Sequence, residues 1–234
     1  MKDLTLLYYT ANTIEDVVPN GPVADNIRRD LLDVTGNQIP IISVSQKPID
    51  FGENICVGTV GRSLYNCYKQ IFLGAKKVKT KYIACCEDDA LYNTEHFTHR
   101  PSSDGVFSFN SNMRYAEDKY YWNKESLDYG MFGCICSTEL LIKTLAPRFE
   151  LFPKEPMPST NRNQEFWQEP GRFDRKFGVH HVKTETFKTK EPILVLNYTK
   201  SMCGKRGVVG HTQTIVESIE PHGKAKDLWL KLWL

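Results

Sequence analysis

Along the first ninety residues, short apolar runs and amphipathic helical stripes take turns. Leu4 to Tyr9 is apolar and β-prone, and Thr10, Ala11 and Asn12 after it form a small polar turn that can bring backbone groups against a ligand. A helix is expected from Pro22, whose fixed φ suits a first helical turn, through Val23, Ile27, Leu31 and Leu32 to a stop at Gly36. Ile39 to Ser45 is the second strand. Gln46 to Gly61, broken by proline and glycine, is a long loop of the kind that carries function or a lid. Arg62 to Val78 places Leu64, Cys67, Tyr68, Ile71, Ala75 and Val78 on one helical stripe, and a third strand begins at Lys81. This alternation predicts an α/β fold with a parallel sheet and right-handed crossovers.

The second half has a different pattern. Gly105 to Asn110 alternates as a strand, and a polar, aromatic segment follows from Ser111 to Asp128. Gly130 to Ser137 is a glycine-rich strand, and Thr138 to Leu145 is a short helix expected to stop before Pro147. Phe149 to Asn163 carries three prolines and reads as loop, and Pro192 to Asn197 is a late strand before the basic, glycine-bearing SMCGKRG. From Lys224 to Leu234 the spacing of Leu228, Trp229, Leu232 and Trp233 predicts a helix with a broad apolar face. The expected organisation is a single domain over 1–234: a nucleotide-binding half at 1–92, an acceptor-binding half at 93–210, and a tail helix at 211–234.

Composition narrows the class more than the activity. With 234 residues, 41% apolar and 25% charged, the chain can bury one substantial core. A net charge of +2 does not by itself point to nucleic acid, although basic residues are dense at Lys76–Lys81, Arg172–Lys176, Lys183–Lys190 and Lys200–Arg206. The opening run is short for a signal peptide and no stretch reaches transmembrane length, so a cytoplasmic protein is expected. Seven cysteines sit mostly in apolar segments without a CxxC pair, which favours buried thiols over disulfides or a zinc site.

The candidate chemistry centres on KYIACCEDDALY, where an apolar strand runs into Glu87, Asp88 and Asp89. Carboxylates at a strand's C-terminal end lie where open α/β sheets bind ligands, and their hard oxygens suit Mg2+ or Mn2+ shared with substrate phosphates. A solvated acidic turn has the same sequence. Neither GxGxxG after a strand nor GxxxxGK followed by Ser or Thr occurs, which lowers dinucleotide oxidoreductases and P-loop enzymes.

Four segments together resemble the nucleotide-sugar glycosyltransferases of the GT-A fold, in a family 2-like form. They are YYTAN after the first strand, GRSLYNCYKQIFLGAKKVKTKYIACCEDDALY, GMFGCICSTELL, and EPILVLNYTKSMCGKRG. The resemblance implies a GT-A type nucleotide-diphospho-sugar transferase fold, with a mostly parallel central sheet and flanking helices. It implies a metal-dependent hexosyl- or pentosyltransferase using a nucleoside-diphosphate sugar such as a UDP-sugar, with Mn2+ or Mg2+ and a hydroxyl acceptor. Glu87-Asp88-Asp89 looks like an EDD form of the family's DxD motif, with Glu87 and Asp89 on the metal and Asp88 on the metal or ribose. Thr10, Ala11, Asn12 and Arg62 would line the base and ribose pocket, and Lys205 and Arg206 would neutralise the diphosphate. Where the fold commonly supplies a metal-binding histidine after the late strand, this chain has Asn197 and Tyr198; His211 is the nearest histidine downstream, with His180 and His181 as alternatives.

Inverting transfer needs a carboxylate that takes the acceptor's proton. Glu165, Glu169 and Asp174 are the candidates, with Trp167 nearby as a platform. Glu169, before a Pro-Gly turn, leads, and Asp174 follows. Two other readings compete. One is a DNA glycosyltransferase acting on hydroxymethylated pyrimidines, using the basic patches and Tyr115, Tyr120 and Tyr121. The other is a nucleotidyltransferase or nucleotide-binding module, against which YYTANTIED has no Gly, Lys or Arg after the first strand. The tail LWLKLWL offers a peripheral membrane or oligomer contact.

Overall fold

A computed structural model of the chain describes residues 2–12, 22–123, 130–155, 169–171, 174–180, 182–196 and 213–233. The chain runs through β1 (Leu4–Thr10), α1 (Val23–Thr35), β2 (Ile41–Ser45), β3 (Glu53–Cys56), α2 (Leu64–Ala75) and β4 (Tyr82–Glu87). It continues with β5 (Ala90–Leu91), α3 (Thr94–Thr98), β6 (Val106–Asn110), β7 (Met113–Ala116), β8 (Tyr120–Asn123) and β9 (Cys134–Ser137). Helix α4 (Thr138–Leu151), β10 (Lys183–Phe187), β11 (Ile193–Leu196), β12 (Gln213–Val216) and the tail helix α5 (Ala225–Trp233) complete the elements used below.

Seven strands form the central sheet in the order β10-β6-β9-β4-β1-β2-β3. It is parallel except for β9, which runs antiparallel to both β4 and β6. The expected α/β architecture with a mostly parallel sheet and flanking helices is therefore met. A smaller sheet, β12-β8-β7-β11-β5, lies beyond it.

Strand β1 is buried along its whole length, as an apolar run between two helical layers must be. Leu7 and Tyr9 point into a core with Tyr68 and Ile71 of α2 and Leu141 and Leu145 of α4. Leu4, Leu6 and Tyr8 point the other way, toward Leu31 of α1. The outer edge of α1 packs Val23 and Ile27 on Leu228 and Leu232 of α5. Gly74 lets α2 lie close to the sheet, since a Cβ there would meet Leu7 Cδ1 at 2.3 Å and Val44 Cγ2 at 2.8 Å.

The helix signals at either end of α1 act as expected. Pro22 precedes the first turn, and Gly36 closes the helix in the left-handed conformation at φ 60°. Several elements differ from expectation. The Pro- and Gly-rich loop contains β3, the polar aromatic segment contains β7 and β8, and the span 211–234, expected as a tail helix, holds strand β12 before a helix confined to Ala225–Trp233. The basic patch at Lys183–Lys190 holds β10, an edge strand that opens on the exposed Lys183, a residue suited to a sheet margin. Tyr120 is fully buried, so it does not stand on an exposed nucleic-acid surface, and Tyr121 donates its hydroxyl to Asp118 at 2.6 Å. Helix α4 does not stop before Pro147 but continues to Leu151. Beyond the proline, Phe149 packs on Tyr65 and Phe72, and Arg148 enters a buried ion pair. Those contacts outweigh the one helical hydrogen bond that proline removes. Cys56 is exposed, whereas Cys85, Cys86, Cys134 and Cys136 are buried, and all of these thiols are free.

Candidate active site

The order β2-β1-β4 makes the gap between β1 and β4 a point where the chain reverses its direction of travel across the sheet. Crevices at such points, beyond the carboxyl ends of parallel strands, are the ligand sites of open α/β sheets. Here the crevice is a cleft lined by Tyr9, Thr10 and Ala11 from the end of β1, Glu87, Asp88 and Asp89 from the end of β4, and Arg62 before α2. Gln46, Phe132 and Glu169 also line it.

The acidic triplet is held by its neighbours. Tyr9 and Glu87 are paired in register across β1 and β4, and the Tyr9 hydroxyl donates to Glu87 Oε1 at 2.7 Å. Thr10 Oγ1 donates to Asp88 Oδ2 and accepts the Asn12 amide at 2.7 Å. The Glu87 amide donates to the Tyr92 hydroxyl at 3.1 Å, and the Asp89 carbonyl accepts from the Leu196 amide of β11 at 2.6 Å. The turn is thus tied to both sheets. Asp89 Oδ1, however, is buried with no hydrogen-bond partner among the described residues.

Burial raises the Glu87 carboxyl to about 7, against the opposing hydrogen bond from Tyr9, with Asp88 and Glu169 pushing further upward. Burial likewise holds Asp89 well above the usual carboxylate range, helped by Glu87 and Asp88 and opposed by the Arg62 guanidinium. Close carboxylates with an orphaned oxygen form an electrostatic well for a cation. Among the described residues, no three His, Cys, Asp or Glu side chains are grouped to hold a metal ion by themselves.

The other residues singled out in the sequence divide between cleft and scaffold. Asn12, buried and at φ 56°, uses its Oδ1 to accept from the amides of Gln46 and Lys47, both at 2.9 Å, and so fastens the end of β1 to that of β2. Glu169 faces the cleft. Asp174 is not among the residues that line it: its carboxylate is buried, receives Arg148 Nη2 at 2.7 Å and accepts the Gly171 amide. It anchors the Glu169-Pro170-Gly171 turn instead. Gly171 sits at φ 99°, where a Cβ would strike Thr184 Cγ2. His180 is exposed. Glu165, Trp167, His181, Asn197, Tyr198, Lys205, Arg206 and His211 lie outside the described residues.

Sequence reasoning missed the amides. Gln70 Nε2 donates to the carbonyls of Thr10 at 2.8 Å and Val44 at 3.1 Å, joining the ends of β1 and β2 beneath the cleft. Asn66 and Gln70 stand four residues apart and are both buried in α2. Two polar residues at that spacing on a sheet-facing helix were the available signal.

No protein-family model matches the chain, and no curated protein matches it. Among solved structures, the chain is similar to a glycosyltransferase involved in the glycosylation of the major capsid of PBCV-1. The identity is 9%, covering 79% of this chain and 82% of that one, with a TM-score of 0.46. It is also similar to S. aureus TarS 1–349 in complex with UDP-GlcNAc, at 11% identity over 86% of this chain, with a TM-score of 0.47. A third likeness is to the apo-form glycosyltransferase GlyE of Streptococcus pneumoniae TIGR4, at 9% identity over 79% of this chain, with a TM-score of 0.42. The chain spans 60% of that TarS fragment and 45% of the GlyE chain.

Proposed function

We propose that the protein is a cation-dependent glycosyltransferase that moves a sugar from a nucleoside-diphosphate sugar, such as a UDP-sugar, to a hydroxyl acceptor. The observation that carries this reading is the buried Asp89 Oδ1, without a hydrogen-bond partner among the described residues, beside Glu87 and Asp88 at the β1–β4 crevice and faced by Arg62. Carboxylate oxygens fit Mg2+ or Mn2+, which takes one or two carboxylates and completes its shell with phosphate oxygens and water. Asp89 and Glu87 would hold the ion, with Asp88, fixed by Thr10, as a further oxygen donor or ribose contact. When bound, the cation stabilises negative charge gathering on the leaving diphosphate.

The chain's own residues supply the remainder. Arg62 at the cleft rim offsets diphosphate charge. Thr10 and Ala11 form the wall against base and ribose. Glu169 lines the same cleft and takes the acceptor hydroxyl's proton as that oxygen bonds to the anomeric carbon. The bond from that carbon to the phosphate oxygen breaks, and the nucleoside diphosphate leaves. Lys205, Arg206 and His211 remain candidates for the diphosphate and the metal.

The test is turnover. Purified protein with Mn2+ or Mg2+ is incubated with labelled nucleotide sugars and a panel of glycans or hydroxymethylated DNA. Release of nucleoside diphosphate with label on an acceptor supports the reading, and the acceptor labelled distinguishes a glycan from a DNA transferase. Conversion of a nucleoside triphosphate to pyrophosphate without sugar transfer replaces it with a nucleotidyltransferase.

A further inference from the structure

The segment Gly58–Arg62 is exposed at every residue, and it has two left-handed glycines, Gly58 at φ 75° and Gly61 at φ 82°. Neither glycine has a neighbour among the described residues within 4 Å of where a Cβ would stand, and Val60 is 46% exposed. Apolar packing therefore does not set its position. Polar contacts do. Gln46, buried at the end of β2, accepts from the amides of Val60 at 3.2 Å and Gly61 at 3.1 Å through Oε1. It donates through Nε2 to the Gly61 carbonyl at 2.8 Å. Asn66 of α2 donates to the carbonyls of Val60 at 2.7 Å and Gly61 at 3.2 Å. Two buried carboxamides thus read the backbone of the two residues that immediately precede Arg62.

We propose that Gln46 is a positioning residue that latches this loop so that the Arg62 guanidinium faces the diphosphate of the donor. The proposal rests on the transferase reading above. Its physical basis is that a long cationic side chain on a bare loop loses binding free energy to disorder, and a latch fixes its root before the ligand arrives. A carboxamide suits the task because it donates and accepts at once, matching an amide and a carbonyl of one peptide segment. Gln46 also lines the cleft, so direct contact with the ligand is the competing account.

The test has two arms. In the first, amide hydrogen exchange is followed at Val60 and Gly61 in ligand-free wild type and Gln46→Ala. Loss of the latch speeds exchange roughly tenfold or more at these amides, while core strands keep their protection; unchanged exchange overturns the latch. In the second, UDP affinity with Mn2+ is measured by calorimetry for wild type, Gln46→Ala, Arg62→Ala and the double variant. Each single change weakens binding roughly tenfold, and the double variant is no weaker than Arg62→Ala alone. Losses that multiply overturn the proposal in favour of direct contact. Should Gln46→Ala fail to fold, Gly58→Ala strains the same loop from outside the cleft and is expected to give the same two results. Wild-type protein that binds no nucleoside diphosphate overturns the transferase reading and the diphosphate role of Arg62, and the exchange arm still decides the latch.

Discussion

Arg148 and Asp174 meet at 2.7 Å with side chains only 1% and 3% exposed, and the same carboxylate accepts the Gly171 amide. The pair therefore fastens helix α4 to the turn that presents Glu169. The guanidinium also lies over the rings of Tyr68 and Phe177, at 5.4 and 5.1 Å. Replacing Asp174 by Asn removes the carboxylate that Arg148 meets in a buried site, and breaking a buried pair in this way costs about 3–5 kcal/mol. Urea unfolding of Asp174→Asn is expected to show that loss with an unchanged slope; a variant as stable as wild type contradicts the anchoring role.

Glu169 is expected to matter for turnover more than for binding. As the proton acceptor it contributes roughly 10²–10⁴-fold, so Glu169→Gln should lower kcat within that range while donor affinity changes far less. Its backbone is held by the Asp174 anchor, and the amide is nearly isosteric with the acid, so thermal stability should stay close to wild type. Equal losses in kcat and in donor affinity would assign Glu169 to donor binding instead.

Glu87 predicts a pH dependence with a definite sign. Burial raises its carboxyl from 4.5 to about 7. Between those values the folded protein holds a proton that the unfolded chain has released, so this group's contribution to ligand-free stability falls as pH rises and is fully lost above 7. His96, lowered by burial to about 3, acts oppositely: its contribution is present above about 6.5 and is lost as pH falls toward 3. Comparing wild type with Glu87→Gln cancels the histidine. The melting temperature of the variant minus that of wild type should grow from about pH 5 to pH 8. A difference that stays flat contradicts the burial of a charge-bearing carboxyl at the cleft.

Gly74 tests how closely α2 lies on the sheet. An added methyl would overlap Leu7 and Val44, and overpacking of this kind costs about 1–3 kcal/mol despite alanine's better helix propensity. Gly74→Ala should therefore lower the denaturation midpoint. A stabilised variant would mean that the helix can move away freely.

The parts of the fold with strong hydrophobic signals were legible. Strands β1, β2 and β4 are apolar runs, α1 has proline before it and a left-handed glycine after it, and α5 shows its apolar spacing. Strands β3 and β10 were not legible, because polar residues at sheet edges are strands by virtue of a partner's hydrogen bonds rather than their own composition. Pro147 misled for a related reason: the contacts that carry the helix past it come from Asp174, Tyr65 and Phe72, distant in sequence. At the site, the acidic triplet stands out as a local cluster. The roles of Gln46, Asn66 and Gln70 depend on which carbonyls and amides the fold delivers to them. Asp174 and Glu169 are alike as residue types five positions apart, and only the buried Arg148 separates anchor from candidate base.

We propose that Asp89, whose buried oxygen has no hydrogen-bond partner among the described residues, holds a cation against a nucleoside diphosphate. Calorimetric titration of UDP into wild type and Asp89→Ala, each with Mn2+ and with a chelator, tests it directly. Wild type is expected to bind UDP only with Mn2+, and Asp89→Ala to lose that binding. Binding that is indifferent to the cation, or equal in the two proteins, would contradict it.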